Sequence, residues 1–130
     1  MAQHPVELIL LQQWASLMAI PVWITDAGGR MVYFNEPTER IIGLRFEDTG
    51  ELEAEQLADI FEISDLDGSP LPNMERPLMI ALSKQMPAHR QMRIHTADHK
   101  SRVIAVTAIP IIGEGNRQLG AMVTFWEERP

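Results

Sequence analysis

No cysteine occurs in the 130 residues. Its absence excludes disulfides, thiolate–zinc sites, a thiol nucleophile and a flavin–cysteinyl adduct. A thiol-free chain suits a reducing cytosol, which is the expected location. Basic side chains are scarce: Lys plus Arg number 11 against 18 Asp plus Glu, a formal net charge of −7. That deficit argues against a nucleic-acid groove and against a polybasic membrane patch. No apolar run reaches the roughly 18 residues that a bilayer-crossing helix needs, so no membrane insertion is expected. The N-terminus has no basic region of the kind that opens a secretory leader, and Glu7, Gln12 and Gln13 interrupt its apolar stretch. What is present, 45% apolar and 22% charged residues, is the composition of one globular domain.

Residues 5–19 read as a helix: Pro5 suits a first turn, and no Gly or Pro follows until Pro21. At 100° per residue its apolar side chains sweep an arc of roughly 260°, whereas a helix lying on one surface needs a stripe of about 100°. The excess predicts cover on two sides, by the chain's own sheet and by a second chain. Val6, Ile9, Leu10, Trp14 and Leu17 are the expected dimer-interface residues.

Pro21–Thr25 and Met31–Phe34 are rich in β-branched and aromatic residues and read as strands, joined by a hairpin loop through Gly28 and Gly29. Asn35 is placed to cap a short helix containing Ile41 and Ile42, and Gly43 to stop it. The acidic stretch 47–67 reads as one or two short helices around Leu52, Leu57, Ile60 and Phe61. Asn73 can cap a further helix running to Lys84. Three strands follow, at 89–96, 102–111 and 119–126, joined by loops of hairpin length. The middle strand is almost wholly apolar, so both its faces should be covered. Together these elements predict an α+β domain: a five-stranded antiparallel sheet with short helices on one face and an N-terminal amphipathic helix.

Few residues form a catalytic or metal-binding constellation. His89 and His95 share strand parity but would lie about 20 Å apart at extended-strand rise. Asp65-x-Asp67-Gly68 resembles part of a calcium loop, but Ile63 and Met74 fall at its first and last ligand positions, so the stretch is a turn. Gly113-x-Gly115 lies between strands and lacks the third glycine of a dinucleotide loop. The acids Glu36, Glu39, Glu47, Asp48, Glu51, Glu53 and Glu55 read as a solvated surface, and Ser64, Ser69 and Ser83 have no nucleophilic context. No enzyme is expected.

In order and spacing the motifs resemble a PAS domain. They are Pro21 leading to Asp26-x-x-Gly29, Met31-Val32-Tyr33-Phe34-Asn35 and Arg40-Ile41-Ile42-Gly43. Then come Asp67-Gly68-Ser69-Pro70, Glu75-Arg76-Pro77-Leu78-x-x-Ala81-Leu82, Val106-x-Ala108-x-Pro110 and Gly120-Ala121-Met122-Val123. The resemblance covers about residues 15–128 and is similar to sensory modules of bacterial histidine kinases and related regulators. It implies a signal-sensing and dimerisation module with an output domain in the same chain or in a partner signalling protein. Residues 1–20 would be the dimerisation helix and 21–130 the sensory domain. The architecture implies an apolar pocket whose candidate lining is Ile41, Leu57, Phe61, Met79, Leu82, Ile104, Val106 and Met122; the cofactor, if any, is unknown. Haem-binding relatives carry their ligand in the helix that here spans 77–84, which has no histidine. The alternative is a ligand-free protein–protein interaction scaffold with a filled core. The sequence departs from the family at Asp98-His99-Lys100, where Asp-Gly is common. It departs again at Glu127-Glu128-Arg129, where Asp-Ile-Thr often couples the last strand to an output helix.

Overall fold

In the first hairpin, Asp26 accepts the backbone N–H groups of Gly28 and Arg30 on one carboxylate oxygen, both at 3.0 Å. This side-chain turn folds β1 (Val22–Asp26) back onto β2 (Met31–Phe34). A computed structural model describes residues 4–96 and 99–128, apart from the side chains of Ala54, Ala58, Asp59 and Phe61. Asp98 and Arg129, two of the positions where the family pattern is broken, therefore lie outside the described residues.

The element order is α1 (Val6–Ala15), β1, β2, α2 (Glu36–Ile42), α3 (Phe46–Thr49), α4 (Ala54–Ile60), β3 (Phe61–Ser64), α5 (Pro77–Lys84), β4 (Ala88–Thr96), β5 (Ser101–Ile112) and β6 (Gln118–Glu127). All strand pairs are antiparallel, and the sheet runs β2-β1-β6-β5-β4-β3. It has six strands rather than the five expected. The added strand is β3, from a stretch expected to be helical. It exists because the edge of β4 presents Met92 and Ile94 toward the core and can be paired there: Ile63 lies opposite Ile94.

Short helices cover one face. Beneath them lie Trp23, Phe34, Met92, Ile94, Ile104, Val106, Val123 and Phe125, with Ile41, Leu57 and Leu82 packed from the helix side. Trp23 and Phe125 meet at a ring-centroid distance of 5.3 Å. On the other face α1 lays Leu8 and Ala15, both 0% exposed, over Val22, Ile24 and Val32.

Helix α1 is shorter than expected. Beyond Ala15 the chain tightens into turns, with Leu17 N–H on the Trp14 carbonyl and Met18 N–H on the Ala15 carbonyl. The Ala15 carbonyl also accepts the Asn35 side chain at 2.9 Å, a bond from another element that fixes where the helix ends. At α5 the expected cap is corrected: Asn73–Glu75 form a separate 3-10 turn, and the helix starts on Pro77, whose missing N–H costs nothing in a first turn. The cover expected on both faces of β5 is only partial. Ile111 packs into the cluster under α1, while Ile109, of the same parity, remains exposed because α1 lies toward the β1 side, and Ile112 is exposed at the end of the strand.

Candidate functional site

Five of the eight candidate pocket residues come together on the helix-covered face. Ile104 and Val106 project from β5, and Ile41, Leu57 and Leu82 meet the same cluster from α2, α4 and α5. Met122 does not belong there. Strand parity puts Ala121 and Val123 in that core, so Met122 points to the opposite face and packs under α1. Met79 is half-buried on α5, its carbonyl accepting the Ser83 hydroxyl at 2.6 Å. The side chain of Phe61 lies outside the described residues.

Next to this core, Glu36, Glu39, Arg40, Gly43, Leu44 and Arg45 line an open cleft of about 610 Å³ at the end of α2. Gly43 ends α2 at φ 79°, a conformation that favours glycine, and Asn35 caps its start by accepting Thr38 N–H. Glu39 accepts Phe46 N–H at 2.8 Å, which sets the ring of Phe46 edge-on to both Tyr33 and Phe34, each at 5.2 Å. Burial, and then the nearby Glu39 carboxylate, raise the Tyr33 phenol above its usual value.

The five residues expected at an interface, four on α1 and Leu17 in the turn after it, are all exposed in the single chain. Trp14 is 64% and Leu17 87% exposed, and Val6, Ile9 and Leu10 share that side. The roughly 260° apolar arc thus divides into a buried stripe on the sheet and a wider apolar face turned outward.

The remaining candidates take structural places. His89 bonds Thr107 Oγ1 at 2.7 Å and lies against Trp126, on the face opposite Met92 and Ile94. Among the described residues no three His, Asp or Glu side chains converge as a metal site. Asp67 accepts both the hydroxyl (2.6 Å) and the N–H (2.9 Å) of Ser69, and these bonds hold its carboxyl below the ordinary range. Because the folded value is depressed, this contribution to stability is present above the unfolded pKa and is lost as pH falls through the folded one. Ser69→Ala should move the Asp67 titration back up, read by carboxyl NMR; an unchanged titration would show that Ser69 is not the cause.

Sequence reasoning missed two residues. His4 bonds the Glu51 carboxylate at 2.8 Å. Asn35, expected only as a helix cap, also donates both amide hydrogens to carbonyls before β1. Nothing in local periodicity could have found either, since the partners lie 47, 20 and 15 residues away.

The family model for the PAS fold matches residues 10–126, and the chain belongs to the PAS family. A search of curated protein sequences finds no match. Among solved structures, the chain is similar to the PAS domain of nitrogen regulation protein NR(II) from Vibrio parahaemolyticus. There the TM-score is 0.65 at 18% identity, over 92% of this chain and 98% of that one. A PAS domain from a two-component sensor histidine kinase aligns with TM-score 0.62 at 14% identity, over 95% of this chain and 97% of that one. The Rhodobacter sphaeroides LOV protein aligns with TM-score 0.75 at 11% identity, over 96% of this chain and 69% of that one. At these identities the likeness is one of fold. The chain is thus a PAS domain, a kind of sensing module found in sensor kinases. Among the described residues no helix is long and apolar enough to cross a membrane.

Proposed function

We propose that this PAS domain is a non-catalytic sensing and dimerisation module of a cytoplasmic bacterial signalling protein. It binds a small apolar ligand or a partner in its core and relays the change to an output domain. Residues 1–20 supply the dimer contact and 21–130 the sensory body. The observation that carries the reading is the outward face of α1. Four large apolar side chains on this short helix, Val6, Ile9, Leu10 and Trp14, with Leu17 exposed in the turn that follows, make an apolar patch of the sort that marks an interaction surface. A second copy is the occupant that fits, because the patch is apolar, and a twofold axis can set it against itself without a charged partner.

Sedimentation of the wild type and of Leu10→Glu tests the dimer. The wild type should sediment as a dimer, and the variant should weaken association at least about tenfold by burying a charge in an apolar contact. Two monomers overturn it. The ligand part rests on half-buried Ile41, Leu57 and Leu82 facing Ile104 and Val106, apolar surfaces that can repack around a guest. A ligand acts by binding two arrangements of these elements unequally. Native mass spectrometry of the purified protein should show a co-purifying small molecule. Bare protein at every preparation favours the scaffold reading.

A further inference from the structure

Helix α1 meets the sheet through apolar contacts, which hold it down but do not fix its position along the surface. Directional bonds hold its two ends. At the N-terminal end, His4 Nε2 lies 2.8 Å from Glu51 Oε2, and Arg30 Nε approaches the other oxygen of the same carboxylate at 3.3 Å. Glu51 stands beside Leu52, which is paired to the free edge of β2 by reciprocal backbone bonds with Met31 of 2.8 and 2.9 Å. Glu53, next along, pairs with Arg30 at 3.3 Å, and its carbonyl takes Leu57 N–H in the first turn of α4. At the C-terminal end, Asn35 Nδ2 donates to the Ala15 and Ile20 carbonyls, both at 2.9 Å, while its oxygen accepts Thr38 N–H at the start of α2.

Both anchors of α1 therefore lead to the helices on the opposite face of the sheet, and both pass beside β2, the edge strand next to β1. We propose that α1 is a strap fastened around the β2 edge, so that rearrangement of α2 and α4 is transmitted to α1 through His4–Glu51 and Asn35. Passage through the sheet would instead need inward-facing and outward-facing side chains to move together. They alternate along each strand, so the side chains under α1 and those under the short helices are different residues. The edge route needs only that the segments bearing Glu51 and Asn35 shift and carry their polar contacts to α1 with them.

The inference concerns coupling within one chain and stands apart from the dimer. The test is therefore run in a Leu10→Glu background, where association does not contribute. Leu57→Ala loosens α4 on the core, and amide hydrogen exchange of residues 8–15 reports on α1. With both anchors present, Leu57→Ala should speed α1 exchange by at least about fivefold, the lower bound of ordinary coupling between sites. In a His4→Ala/Asn35→Ser background, where serine still caps α2, the same substitution should change α1 exchange by less than about twofold. If that background does not fold, His4→Ala alone should remove the response over residues 8–11 and keep it nearer Ala15. An unchanged α1 in the anchored protein, or an equal response with and without the anchors, overturns the proposal.

Discussion

Gly120→Ala should be severely destabilising. Gly120 sits in β6 opposite Asp26 of β1 on one side and Ile111 of β5 on the other. A Cβ added there would overlap the Thr25 carbonyl oxygen, with the Thr25 carbonyl carbon 3.0 Å away and the Asp26 Cα 3.2 Å away. These are backbone atoms of a paired strand, so no side chain can rotate aside. Strand β1 would have to move away from β6 and would take with it Val22, Ile24 and the seat of α1. We expect a loss of at least about 3 kcal/mol, at the top of what overpacking costs. Against a total stability of about 5–15 kcal/mol that is a large share. Gly28→Ala is the control: its nearest neighbour would be the Asp26 carboxylate at 3.6 Å, an ordinary contact, and the change should stay within about 0.5 kcal/mol. Urea unfolding followed by tryptophan fluorescence compares them. Equal midpoints would mean that β1 yields at no cost and that the close approach has no structural weight.

Gly120 also shows what kind of information the sequence carried. It belongs to a spaced motif, yet its reason is the approach of a strand almost a hundred residues earlier in the chain. Local chemistry was legible. Asn35 and Gly43 bound α2 as expected, because a cap and a left-handed stop act within one turn. Alternation placed Met92 and Ile94 on one face of β4 and the histidines on the other. Strand β3 was not legible, since Phe61-Glu62-Ile63-Ser64 has only two alternations and follows Leu57 and Ile60, whose spacing is helical. Its state is decided by the edge of β4, which local pattern does not contain. The candidate pocket failed at Met122 for a related reason. A near-continuous apolar strand such as Leu119–Phe125 gives no phase, and the face of each residue emerges only from its partners. The α1 arc is wider than one surface needs, but its width alone does not say which residues the sheet takes. The structure gives Leu8 and Ala15 to the sheet and leaves Val6, Ile9, Leu10, Trp14 and Leu17 outward.

Asn35→Ala should be the most damaging polar substitution in the domain, at about 3–4 kcal/mol. The side chain is 1% exposed and fully used: the oxygen accepts Val22 N–H at 3.0 Å, Thr38 N–H at 3.3 Å and the Thr38 hydroxyl at 3.0 Å, and the amide donates to Ala15 and Ile20. Alanine leaves these groups where water does not readily reach, and each buried orphan costs about 1–3 kcal/mol. Losing the α2 cap alone would account for only about 1 kcal/mol, so a result near that figure would reduce Asn35 to a cap. Thr38→Val should cost less, about 1–2 kcal/mol, because it removes a hydroxyl whose single hydrogen is shared between the Val22 carbonyl (3.1 Å) and Asn35 Oδ1 (3.0 Å) but leaves the joint standing. The double variant should then cost less than the sum of the two by at least about 0.5 kcal/mol, since both substitutions break the same network. Additive losses would mean that Asn35 and Thr38 act separately. The end of α1, the entry to β1 and the start of α2 would then be held by independent bonds rather than through one buried amide.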